Sequence, residues 1–358
     1  MLMPHLFQIE SICDLSASTV EHCAQKFHVP HQTIAPQEVI DHPNVDCVFI
    51  LTSDESHAPL VIAALQAGKN VFVEKPVSLS IASVQSIVEA EKNAPSGARV
   101  FVGYMRRYAP SFVQAFKREI ATIPRILYAR VRDFCGPNPH FISQSGTFPV
   151  KNSDYPANAT EERSSRLKSL YAEAFPDQEI TDEKRKICHF LGSLGSHDIS
   201  LMREALGFPE KVVGVSANDP FYSAIMTFRN PDGSTYSTTY ESGIDSVPIF
   251  DAHMAVYGAS KRVTIKVCWR PHEDLSFRLT CSKTTQTDAQ FDFSMTALMS
   301  RGCPSTSKLK KSMRMARYKS AHFCRRTRTR IPLSSRRCTR LLPMAGRSRL
   351  RSRMQGRI

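Results

Sequence analysis

In its first third the chain alternates short apolar runs with segments whose apolar positions recur at helical intervals. Residues 7–13 read as a short strand that ends at Asp14. Residues 16–27 follow with helical spacing and with Ser16 placed as an N-cap. Residues 46–51 form a continuous apolar run of the kind a buried parallel strand needs, 53–57 a polar loop, and 59–68 a short helix closed by glycine. Residues 70–73 are the next strand, 80–92 the next helix and 99–103 a further strand. Strands that alternate with helices in this way pair in parallel, because each crossover returns the chain to the end of the sheet it started from. The pattern therefore predicts an α/β domain over 1–115.

After residue 115 the rhythm changes. Residues 125–134 read as a long strand, 143–185 as a polar stretch rich in Ser, Asn, Asp and Glu, and 197–206 as a helix ended by Gly207 and Pro209. Strands follow at 221–228, 235–241, 252–257 and 262–266, and Asn230-Pro231-Asp232-Gly233 turns the first pair. Strands joined by short turns pair antiparallel, so an antiparallel sheet in a second domain is expected after residue 115. Periodicity is weak over 267–300 and absent beyond.

At 358 residues the chain has room for two cores. No apolar run approaches the roughly 20 residues a membrane helix needs, and the opening residues lack the basic and apolar segments of a secretory leader. The expectation is a soluble, cytoplasmic protein without a membrane partner. Its ten cysteines include no Cys-x-x-Cys pair and read as reduced thiols. Cys188 beside His189 lacks the further ligands a metal site requires, so no metal is expected.

The formal net charge of +14 is confined to one end. Residues 301–358 hold 19 of the 47 basic residues and none of the 33 acidic ones, which leaves the first 300 mildly acidic. Such a tail could attract nucleic acid, with steep salt dependence, but the acidic body makes that the last-ranked reading. Fifteen of the 19 are arginine and eight further residues are serine, the composition that out-of-frame translation favours. Residues 267–358 are therefore expected to be a disordered tail outside the genuine fold.

The most specific string is Gly68-Lys69-Asn70-Val71-Phe72-Val73-Glu74-Lys75-Pro76. It sets a carboxylate and an amine just past the carboxyl end of a parallel strand, where open α/β sheets bind ligands. On its own, Glu74-Lys75 could equally be an exposed ion pair before a turn. Together with residues 48–52, His57 and the run Val102-Gly103-Tyr104-Met105-Arg106-Arg107-Tyr108, the segment resembles the glucose-fructose oxidoreductase/inositol dehydrogenase (Gfo/Idh/MocA) family, over residues 7–266.

The resemblance implies an NAD(P)-dependent oxidoreductase acting on a CH–OH group of a sugar or polyol. It implies a Rossmann-type domain over 1–115 and an α+β substrate domain over 116–266 whose open, mostly antiparallel sheet joins copies into a homo-oligomer. It assigns Lys75 and His197 to catalysis and sets Thr52, His57, Glu74, Lys75 and Arg106 near the cofactor. Asp14 follows a strand at the place where Rossmann proteins put the carboxylate that accepts the ribose hydroxyls. Its neighbours Leu15 and Ser16 offer no cation for a 2′-phosphate, so NAD is expected rather than NADP.

Oxidising an alcohol moves a hydride from carbon and a proton from oxygen, and an ammonium near that oxygen eases the second step. Lysine suits this, because its protonation responds to burial while arginine stays charged. His197, in Gly195-Ser196-His197-Asp198, is the second candidate base, although the same residues also make an ordinary first turn of a helix. Many relatives carry an aspartate four residues before this histidine; here that position is Ser193. No Gly-x-Gly-x-x-Gly occurs in the chain. The expectation is a domain lacking its first strand and glycine-rich turn, with weakened activity or none. A non-catalytic sensor of nucleotide or sugar is the alternative.

Overall fold

The computed structural model describes residues 5–137, 152–268, 276–283 and 286–294. The first domain runs β1 (Ser11–Cys13), α1 (Ala17–Phe27), β2 (His31–Thr33), α2 (Pro36–Asp41), β3 (Cys47–Ile50), α3 (His57–Gln66), β4 (Asn70–Val73), α4 (Ile81–Lys92) and β5 (Val100–Val102). All strand pairs are parallel, as the alternation predicts. They fall into two sheets, β1-β2 and β3-β4-β5, and among the described residues no ladder joins β1 to β3.

Local chemistry sets the boundaries. Ser16 caps α1, its hydroxyl oxygen accepting from Thr19 N at 3.0 Å, and His28 ends the helix in the left-handed region. Val48, Ile50, Val71 and Val73 point to one face of the three-stranded sheet and pack with Val61, Ala64 and Leu65 of α3 and Ile87 of α4. On the other face Phe49, Phe72 and Phe101 stack in a row, with ring centroids 5.0 and 5.4 Å apart, and Phe49 and Phe101 stay half exposed.

A short turn (Met105–Tyr108), a π-type turn (Ser111–Phe116) and α5 (Lys117–Ile120) lead into the second domain. It continues with β6 (Ile126–Cys135), α6 (Ala159–Ala174), α7 (Asp182–Phe190), a second π-type turn (Leu191–Gly195) and α8 (Ser196–Leu206). Then come β7 (Lys211–Asn218), β8 (Phe221–Arg229), β9 (Thr235–Ile244), β10 (Phe250–Gly258), β11 (Lys261–Cys268), β12 (Ser276–Lys283) and β13 (Gln286–Ser294).

The eight strands make one sheet in the order β13-β12-β11-β10-β6-β9-β8-β7, antiparallel throughout except where β6 lies parallel to β9. Alternate residues of β6 and β9, among them Ala129, Val131, Tyr236 and Tyr240, turn to one face and meet Leu201 and Met202 of α8 and Phe112 and Phe116.

Three expectations need correction. The sheet does not end at Lys266: β12 and β13 extend it, and Leu279 and Cys281 are buried in it. The ladder to β11 supplies order that the weak periodicity of this stretch did not announce. The polar stretch 143–185 contains α6 and the start of α7. Leu170 is the buried residue of α6, too little apolar surface to leave a helical stripe in the sequence. The strand expected over 7–13 is regular only from Ser11. The expectations for the arginine-rich tail fall outside the described residues. Among the described residues no helix is long and apolar enough to cross a membrane.

Candidate active site

β4 is the middle strand of its sheet, and the chain leaves its carboxyl end as Glu74-Lys75-Pro76. Glu74 N donates to Ile50 O at 2.9 Å and Gly103 N to Val73 O at 2.8 Å, so the ladder holds the string on both sides. A Cβ on Gly103 would lie 3.1 Å from the Phe72 ring and 3.4 Å from Glu74 Oε1, so glycine gives that carboxylate room. From this edge Lys75 reaches the second domain: its Nζ donates to the main-chain oxygen of Ser193 at 2.6 Å. Burial lowers the Lys75 pKa, Asp54 and Glu74 oppose that shift, and Arg106 adds to it.

Ser193 lies in the π-type turn that feeds α8, and His197 stands in the first turn of that helix. Gly195 lets the helix start there, because a Cβ would come within 2.8 Å of the Tyr240 hydroxyl on β9. His197 is partly buried, and its Nδ1 is enclosed without a hydrogen-bond partner among the described residues. Burial first, and then the positive charges of Arg106 and Lys75, push its imidazole down to about 3. Lys75, distant in sequence, is thus one of the charges that depress His197.

His57 is fully buried, with Nδ1 2.7 Å from the Pro76 oxygen and Nε2 3.0 Å from the Thr52 oxygen. It ties the loop after β3 to the residue that follows Lys75, and neither ring nitrogen is left for a ligand. Thr52 itself is exposed, its hydroxyl 3.5 Å from Ser53 O. In the same loop, burial raises the Asp54 pKa against the charges of His57 and Lys75.

Arg106 is engaged within the protein: its Nη1 donates to Asp133 Oδ2 of β6 at 2.8 Å and to Asp198 Oδ1 of α8. Burial would lower its pKa, but the two carboxylates outweigh burial and raise it. Burial raises Asp198, with Arg106 opposing and Asp133 reinforcing. Sequence reasoning missed both acids. The available signal was an aspartate at an inward position of β6, in register with the buried Val131 and Ala129. Asp14 lies apart from these groups, exposed at the carboxyl end of β1, where its Oδ1 accepts from Ser16 N at 2.9 Å.

Residues 1–104 match the oxidoreductase family with an NAD-binding Rossmann fold. Over this segment the chain is similar to the Gfo/Idh/MocA oxidoreductase family. It is 33% identical over 129 residues to scyllo-inositol 2-dehydrogenase (NAD(+)) of Bacillus subtilis (strain 168), a match covering 35% of this chain and 37% of that protein. It is 34% identical over 139 residues to myo-inositol 2-dehydrogenase of Thermotoga maritima, covering 38% and 41%. The matches thus span about two-fifths of these relatives.

Among solved structures, levoglucosan dehydrogenase in complex with NADH and levoglucosan superposes with a TM-score of 0.56 at 17% identity, covering 82% of this chain and 74% of that one. A probable dehydrogenase from Thermotoga maritima gives 0.53 at 21%, covering 75% and 72%. These likenesses show that the fold is shared beyond the matched segment.

The matched family is NAD-binding. The polar groups available to such a cofactor among the described residues are Lys75, Glu74 and the unpartnered Nδ1 of His197, and, at the end of β1, the exposed carboxylate of Asp14. For the pyrophosphate between them, the sequence offers no glycine-rich turn.

Proposed function

We propose that this chain carries the catalytic centre of an NAD-dependent oxidoreductase acting on a CH–OH group of a sugar or polyol. The observation that carries the reading is the 2.6 Å bond from Lys75 Nζ to the oxygen of Ser193, four residues before His197. It joins the family's Glu-Lys-Pro string to the turn that feeds the second-domain helix. The inositol dehydrogenases among the relatives support the substrate class.

A bound nicotinamide would supply the hydride acceptor. Lys75, held below the ordinary lysine range, releases and takes up a proton more readily than a surface lysine, and it is the group fitted to receive the hydroxyl proton. His197, pushed down to about 3, stays neutral at physiological pH. It accepts a hydrogen bond from the hydroxyl and orients it, but holds a proton poorly, as expected where Ser193 supplies no carboxylate. His57 fixes Pro76 and so the direction in which Lys75 leaves the sheet.

The reading includes a homo-oligomer joined through the second-domain sheet. β7 is exposed along its length, and Val212, Val213 and Val215 lie open to solvent, an apolar surface of the kind a second copy covers. It also includes a cytoplasmic site of action, in keeping with Cys13, Cys23, Cys47, Cys135, Cys188 and Cys281 as free thiols. A sensor that binds dinucleotide without turnover is the second reading, favoured by Ser193 and the weakly basic His197.

The test is incubation of the purified chain with NAD and a panel of inositols, aldoses and linear polyols, followed at the nicotinamide absorbance, with NADH binding measured in parallel. Reduction that disappears in K75M supports the enzyme. Binding without turnover selects the sensor, and neither binding nor turnover overturns both.

A further inference from the structure

The amino end of α1 already holds an anion. Asp154, from the segment before α6, accepts from Ser16 Oγ at 2.6 Å and from Ser18 N at 2.8 Å. Asn152 adds a hydrogen bond from its Nδ2 to Thr19 Oγ1 at 2.8 Å, so two residues of this segment are fastened to the first turn of α1. The hydrogen bond from Ser16, followed by that from Ser18, holds the Asp154 carboxyl down at about 2. The second carboxylate at this end is Asp14, bonded to Ser16 N. The first turn, Ala17-Ser18-Thr19, carries no charged side chain of its own.

An eleven-residue helix presents partial positive charge and free N–H groups at its amino end, a ready place for a phosphate. In dinucleotide-binding α/β folds the carboxylate after the strand takes the ribose hydroxyls, and a 2′-phosphate at the same ribose needs a neighbouring cation. Here the helix end beside Asp14 is filled by a second carboxylate. A phosphate arriving there would have to displace Asp154 from two hydrogen bonds or lie against two negative charges.

We propose that Asp154 is a specificity-determining residue: an internal anion that fills the amino end of α1 and excludes a ribose 2′-phosphate, so that the chain takes NAD and rejects NADP. This rests on the reading of Asp14 as the ribose carboxylate. It assigns the discrimination to a residue of the second domain's approach segment as well as to the strand end.

The experiment is calorimetric titration of the full chain, wild type, D154N and D154S, with ADP-ribose and with 2′-phospho-ADP-ribose. Both probes carry the same pyrophosphate, so that part cancels in the ratio of affinities, and neither requires turnover. The wild type is expected to prefer ADP-ribose. D154S should raise affinity for the 2′-phosphorylated probe about tenfold and leave ADP-ribose within about twofold, with D154N moving the same way because it removes the charge and keeps the shape. Variants that melt at lower temperature with an unchanged ratio would make Asp154 a helix cap and nothing more, overturning the inference while the NAD reading stands. If neither probe binds any of the three proteins, the Asp14 reading fails and the inference falls with it.

Discussion

Lys75 and Ser193 meet across the two domains, Nζ to main-chain oxygen at 2.6 Å. Because the acceptor belongs to the backbone, a side-chain change at 193 leaves it in place. The bond fixes where the ammonium sits and leaves its remaining hydrogens for a ligand.

Replacing Lys75 tests its charge and its proton separately. K75M should lower kcat/KM by about 100-fold or more, the usual scale for a positioned acid or base. K75R should fail nearly as badly, because guanidinium keeps its proton. In the unaltered chain the rate should climb with pH as Lys75 deprotonates, with its inflection below the ordinary lysine range. The check is a set of pH–rate profiles for the three proteins; a K75R enzyme of near-normal rate would remove proton transfer from this residue.

His197 predicts a pH dependence of stability with a definite sign. Its folded pKa of about 3 lies below the unfolded value near 6.5, so only the unfolded chain gains the proton as pH falls through that window. Its neutral form therefore supports the fold fully above about 6.5, and the support declines toward about 3. H197Q should flatten that part of the curve in denaturant melts between these limits, and an unchanged slope would contradict the burial described.

Arg106 holds Asp133 and Asp198 together in a dry site, 7% exposed. R106M leaves two buried carboxylates without their cation and should cost about 3–5 kcal/mol in chemical denaturation. R106M combined with D133N and D198N should recover part of the loss, since the uncompensated charge is gone. A loss in the triple variant as large as in R106M alone would assign the effect to packing.

Part of the fold around the candidate site was legible in the sequence because its signals are local. The apolar run ending at Glu74-Lys75-Pro76 is the strand β4, and Ser16 announces α1 by its capping chemistry. The Arg106 network was not legible, because Asp133 and Asp198 acquire their meaning only when β6 and α8 converge on the turn after β5. His57 was read as a cofactor neighbour. Its burial and its two carbonyl partners are tertiary facts that a histidine opening a helix does not reveal. α6 stayed hidden for the opposite reason: a helix that buries little leaves no stripe to read.

Gly195 is required by contact with Tyr240. G195A should destabilise the chain by about 1–3 kcal/mol, since the new methyl meets the Tyr240 hydroxyl at 2.8 Å. Pairing it with Y240F, which removes that oxygen, should restore much of the loss. A double-mutant cycle in thermal or urea unfolding reads the coupling, and additive effects would mean that the glycine is needed for some other reason.

The account depends most on the Lys75 charge reaching the His197 imidazole, and an NMR titration of that imidazole in wild type and K75M measures it directly. Removal of the lysine charge should move the imidazole upward from about 3, because one of the two cations that depress it is gone. An imidazole that titrates identically in both proteins would contradict that interaction.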